Sequence, residues 1–133
     1  MSRATPLVVL CSLCVVLAAC GGSGRLSAKD LHQEAKTVQS LAAEGGLLAE
    51  SAARGRATTV FVREQAGFLH RAAASTAGKL KSASNGGVLA LLAAAVRNNL
   101  ELLSRSGTDR ALQRTISSKL EAAVRVAAGL GNP

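Results

Sequence analysis

The 133-residue chain predicts an all-α fold, an antiparallel bundle of four helices, from three observations. Apolar residues recur at alternating steps of four and three in four separate stretches, the spacing of one face of a helix. Clusters rich in Gly, Ser and Arg separate those stretches at Arg54-Gly55-Arg56, from Ser82 to Gly87 and from Ser104 to Thr108, which are turn compositions. The chain also has two Phe, no Trp and no Tyr. Its apolar volume is therefore Leu, Val and Ala; Ala and Leu favour helix, and little is left for a sheet to pack.

The first stretch opens with Ser27 three residues before Asp30, a capping-box-like start with Asp in place of Glu or Gln. Leu31, Ala35, Val38, Ala42, Gly45, Ala49 and Ala52 form its apolar face. Gly45-Gly46 interrupts it, and each glycine costs about 1 kcal/mol relative to Ala in a helix interior. The pair is read as a hinge or a close helix contact, or equally as a tolerated weak spot or a break into two shorter helices.

The second stretch, from about Thr59 to Lys81, carries Val62, Ala66, Leu69, Ala73, Thr76 and Leu80, with Phe61 and Phe68 widening the face on one side. Its β-favouring start, Thr58 to Val62, is where the helical pattern is weakest. The third, Gly87 to Ser104, is apolar over nearly half its circumference and is expected to be the most buried, with Asn99 on its seam setting register. The fourth starts from a Thr108 cap and presents Leu112, Ile116, Leu120, Ala123 and Ala127, with Arg110, Arg114, Glu121 and Arg125 opposite. Short connections make the up-down bundle the simplest packing, with Ala at the seams allowing close approach. A three-helix arrangement or a dimer of hairpins is the alternative.

The first 19 residues have a different organisation. Arg3 supplies a positive start, and Leu7 to Ala19 is uncharged. That run suits the apolar region of a secretory signal and is too short to span a bilayer, which needs about 20 apolar residues. It ends in Leu17-Ala18-Ala19-Cys20, an aliphatic residue, two small ones and a cysteine. Small side chains let an extended backbone enter a peptidase site, and the Cys20 thiol is the strongest nucleophile beside it.

This arrangement resembles the lipobox of bacterial lipoproteins. The resemblance implies lipid attachment at Cys20, signal cleavage between Ala19 and Cys20, and frequently acylation of the new amino terminus. It also implies an exported protein anchored to the cell membrane or outer membrane. The residue after Cys20 is Gly21, where in enteric-type bacteria Asp signals inner-membrane retention, so the outer membrane is favoured where one exists. The resemblance covers the leader and Cys20 alone, and no family is recognised for the remainder.

The expected domains are thus a signal peptide at 1–19, a lipidated cysteine and tether at 20–26, and a helical bundle at 27–133. Cys11-Ser12-Leu13-Cys14 is a C-x-x-C motif, which elsewhere suggests redox or metal chemistry; here it leaves with the signal peptide. Cys20 is then the one remaining cysteine, so no disulfide within the mature chain is expected. Cleavage leaves 114 residues, enough for one core. Gly21-Gly22-Ser23-Gly24 is a flexible tether spanning on the order of 10 Å.

The chain carries 16 basic and 8 acidic residues, a formal net charge of +8, which falls to +7 when Arg3 leaves with the signal. The second stretch holds much of the excess, with Arg63, Arg71, Lys79 and Lys81 against Glu64. This points either to a solvated basic surface or to attraction for anionic lipid, an anionic envelope polymer or an acidic envelope protein. With no aromatic stacking platform and an exported location, nucleic acid is not an expected partner.

The sequence offers no catalytic constellation. His32 and His70, the only histidines, lie off the centres of their apolar faces and have no second ligand at helical spacing. No metal and no cofactor is therefore expected; C-x-x-C-H is absent and no Met survives cleavage to serve a haem. Ala73 to Leu80 approaches the phosphate-binding P-loop, but lacks its first Gly and has Leu80 where a hydroxyl must reach Mg²⁺. The acids are scattered, with no pair placed for acid–base work. These features predict a non-enzymatic binding or structural module of the cell envelope; the alternative is a ligand or cofactor carrier using the bundle interior.

Overall fold

The computed structural model describes residues 24–132. The expected signal peptide with Ala19, the expected lipid site Cys20 and the start of the expected tether lie outside the described residues. Four helices follow: α1 (Ala28–Ala53), α2 (Thr59–Ser82), α3 (Gly87–Ser104) and α4 (Arg110–Leu130). No strand occurs among the described residues. The fold is an all-α bundle.

Each helix start has a local cause. The Ser27 hydroxyl accepts from the Asp30 N–H at 3.1 Å and donates to the Asp30 carboxylate at 2.7 Å, so the predicted cap is present. The β-favouring start of α2 is overcome by Thr58, whose hydroxyl accepts from the Phe61 N–H. The start of α4 corrects the expectation by one position: Asp109, not Thr108, is the N-cap, and its carboxylate accepts from the Leu112 N–H at 3.0 Å. A carboxylate also complements the positive end of the helix dipole. The α2–α3 turn depends on Gly86, where a Cβ would collide with the Leu80 carbonyl oxygen.

The helices run up and down alternately. His32 near the start of α1 meets the Gly131 carbonyl past the end of α4, and Glu34 on α1 pairs with Lys79 late in α2. α1 packs most extensively on α4 and α2 on α3, and α1 also reaches α3 across the bundle. Two tight pairs therefore stack on one core, centred on Leu80, Leu100, Leu103, Ile116 and Leu120 with Val38 and Val96.

Alanine and glycine on α1 bring its partners close. α1 is continuous through Gly45-Gly46, which rules out the break. A Cβ on Gly45 would lie 2.6 Å from Leu100 Cδ2 and 3.0 Å from Leu120 Cδ1, so Gly45 is a close helix contact. The Gly46 carbonyl accepts a hydrogen bond from the Ser117 hydroxyl of α4.

Three expectations are corrected. α3 is not the most buried helix: Leu89, Ala93, Val96, Leu100 and Leu103 face the core, while α1 buries a larger set that includes both glycines. Phe61 and Phe68 do not extend the core but stand half or more exposed, lining with Leu47 an open groove between α1 and α2 that no other described element covers. Asn99 sets no buried register; it is part-exposed and its amide donates to the Ala95 carbonyl one turn back.

Candidate functional site

The end of the bundle that holds the start of α1 is the part of the described structure nearest in sequence to the predicted lipid site. Gly24 lies four residues beyond Cys20. Leu26 is then clamped to the α2–α3 turn: its N–H donates to Asn85 Oδ1 and its carbonyl accepts from Asn85 Nδ2, both at 2.9 Å. Two backbone groups that would otherwise be left to solvent are thereby paired, and the chain is held beside the start of α3. Nothing local in the sequence signals this clamp, since its partners are 59 residues apart.

That end brings together the start of α1, the α2–α3 turn and the end of α4. Arg25, Lys29 and Lys81 are basic and lie at it, with Lys79 one turn inward. Lys79 is tied to Glu34, itself a buried carboxylate on α1. That pairing raises the Lys79 ammonium above its ordinary 10.5, through the hydrogen bond to Glu34 first and its charge second. Asp30 is the unpaired acid there, and the Ser27 hydroxyl holds its carboxyl below the ordinary 3.8.

Apolar side chains emerge at the same end. Val88 and Leu91 of α3 are 61% and 73% exposed, and Val126 and Leu130 of α4 are nearly half exposed. Elsewhere, Leu47 forms a ridge between two open grooves. One, of about 440 Å³, lies between α1 and α4 and is lined by Ala42, Gly46, Leu47 and Val124, with Glu121 and Arg125 at its edge. The other, of about 320 Å³, lies between α1 and α2 beside Phe61 and Phe68.

Both histidines are committed to main-chain contacts. His70 Nδ1 faces the Arg97 carbonyl of α3 at 3.2 Å, and His32 Nδ1 faces the Gly131 carbonyl. Each contact is a hydrogen bond when Nδ1 carries the ring proton. Among the described residues no group of three or more His, Cys, Asp or Glu is placed to hold a metal ion. The P-loop-like stretch lies within α2, and its Lys79 is the partner of Glu34.

One buried polar cluster escaped the sequence reading. At the opposite end Gln113 is 2% exposed; its amide nitrogen donates to the Gly107 carbonyl at 2.9 Å and to the Ser106 hydroxyl at 3.2 Å. Ser106 in turn donates to the Leu103 carbonyl. The cluster closes the α3–α4 corner, and the four-three apolar pattern of α4 gave no signal for it because Gln113 reads as a surface residue.

No family model matches the chain, and no curated protein and no solved structure matches it either.

Proposed function

We propose that the chain is an exported lipoprotein, anchored to the membrane by a diacylglycerol on Cys20, whose helical bundle is a non-enzymatic binding or structural module of the cell envelope. The observation that carries this is the order Arg3, an uncharged run from Leu7, and Leu17-Ala18-Ala19-Cys20. The four helices supply a compatible cargo. Their core is assembled from side chains between Leu26 and Ala127, and cleavage before Cys20 removes none of it. An envelope protein or an anionic envelope polymer is the partner class that a basic, all-helical module suits.

The non-enzymatic reading is supported by what the polar groups are doing. Both histidines and the Glu34 carboxylate are engaged in holding helices together. The carrier reading draws less support, because the grooves named above open on the outside of the bundle and its centre is occupied by Leu, Ile and Val.

Replacing the thiol tests the anchor. The full chain carrying Cys20→Ala, expressed in bacteria fed a labelled fatty acid, is expected to incorporate no label and to accumulate uncleaved, whereas the parent chain is labelled and shortened by its leader. Equal labelling and equal membrane partition of the two chains would overturn the proposal.

A further inference from the structure

Helix α3 is apolar on every side over its first ten residues, Gly87 to Val96, yet the bundle uses only one side. By length and composition it is the one described helix that could cross a membrane, although 28% of its residues are buried. Its inward residues repeat as Leu89, Ala93, Val96, Leu100 and Leu103. Its outward residues repeat as Val88, Leu91, Ala95, Asn98 and Leu102, all exposed and all uncharged. A water-facing helix surface in a chain with 24 charged residues is ordinarily charged; the first half of α3 has no charged side chain on any face, and its charged residues, Arg97 and Glu101, follow in the second half.

Helical phase shows where the outer stripe leads. Arg97, whose backbone carbonyl meets His70, marks the flank of α3 toward α2. Val88 and Ala95 lie on the opposite flank, toward α4. On α4, Ser117 marks the flank toward α1 through its bond to Gly46, and Val126 and Leu130 lie on the other flank, toward α3. Because the two helices are antiparallel, the last turns of α4 sit beside the first turns of α3. Val88, Leu91, Ala95, Val126 and Leu130 therefore form one patch at the end of the bundle where the chain enters.

We infer that this patch is a lipid-docking surface: the first half of α3 and the last turns of α4 rest in the headgroup region of an anionic membrane, with Arg25, Lys29 and Lys81 at the same end of the bundle. The inference rests on the lipoprotein reading for its orientation. Gly24 is four residues from Cys20, and four residues reach at most about 14 Å, so a lipid on that cysteine would hold this end, and not the Val60 end, against the bilayer. Apolar side chains and cations gathered at one end of a bundle are the composition of an interfacial contact, in which the apolar groups enter the headgroup boundary and the cations gain from anionic lipid. A stripe prepared only for water would not place its most exposed leucine, Leu91, at the tethered end.

The test uses the full chain, expressed in bacteria with a photoreactive amino acid at Leu91, Leu130 or Val60, and reconstituted into vesicles of equal parts phosphatidylglycerol and phosphatidylcholine. Intact mass reports whether Cys20 carries diacylglycerol, independently of crosslinking. Lipid adducts are expected from Leu91 and Leu130 and none from Val60. With the probe at Leu130, Val88→Asp with Leu91→Asp is expected to lower the adduct yield roughly tenfold, with the helical circular dichroism unchanged because both positions are exposed. A diacylated chain whose Leu91 probe reacts with no lipid, or joins two copies of the chain, overturns the docking surface while the lipoprotein reading stands. An unmodified chain whose Leu91 and Leu130 still react with lipid overturns the lipoprotein reading and supports the surface. An unmodified chain without adducts overturns both.

Discussion

At the scale of single residues, the two adjacent glycines of α1 have opposite consequences. Gly45 faces Leu100 and Leu120 at distances a Cβ cannot occupy without moving them, whereas at Gly46 the nearest such atom, Leu120 Cβ, is an ordinary 3.8 Å away. Alanine at either position gains about 1 kcal/mol of helix propensity. At Gly45 overpacking of well-ordered leucines costs about 1–3 kcal/mol and offsets or exceeds that gain. We expect Gly46→Ala to raise the urea midpoint and Gly45→Ala to lower it. A midpoint raised equally by both would show that α1 does not approach α3 and α4 as closely as described. This asymmetry separates a contact from a hinge, since a hinge would be stiffened by either alanine.

At the scale of one element, α4 shows how a single cap sets a boundary. Its sequence offers Thr108 and Asp109 in succession, and only the backbone conformation selects between them. Asp109 is extended, with its carboxylate on the Leu112 N–H. Loss of such a cap costs about 1 kcal/mol. Asp109→Ala is therefore expected to lower stability by about that amount, and Thr108→Ala to change it by less than about 0.5 kcal/mol, as for exposed positions without a defined contact. Chemical denaturation of the two variants side by side reads the difference; equal losses would place the cap elsewhere. The same element closes its corner through Gln113, so the start of α4 is held from the solvent side by Asp109 and from the buried side by an amide.

At the scale of the whole molecule, the two tight helix pairs are joined chiefly by the apolar core, and Glu34–Lys79 is a polar tie between them. Lys79 has a raised value in the folded state, so its contribution is fully present below the ordinary 10.5 and is lost as the pH climbs through the raised value. Asp30 is lowered, so its contribution is present above 3.8 and is lost as the pH falls through the lowered value. The stability difference between the parent chain and Lys79→Gln is expected to be constant through neutral pH and to shrink above pH 10.5. Thermal melts across that range check it, and a difference that persists undiminished would show that Lys79 stabilises through its stem and not its charge.

How much could be read beforehand follows from the range of each interaction. Helical periodicity and turn composition are local, and they placed α3 at Gly87 to Ser104 and the starts of α1 and α2 within a residue. The arrangement Leu17-Ala18-Ala19-Cys20 is likewise local, four consecutive residues read without reference to any fold. Periodicity states which residues share a face, but not what lies opposite. Phe61 and Phe68 share a face that reads as core, and only the position of α1 leaves them in water. Glu34 and Lys79 are 45 residues apart, and the Leu26–Asn85 clamp spans 59; such pairings have no signature in either partner alone. Local sequence thus determined the four helices and the starts of the first three to within a residue, because backbone propensity and hydrophobic phase act within a few turns; the start of α4 was settled by the conformation of Asp109. Tertiary structure alone decided which apolar faces were buried and that the outer stripe of α3 meets the end of α4 where the chain enters, because burial depends on the neighbours that packing brings.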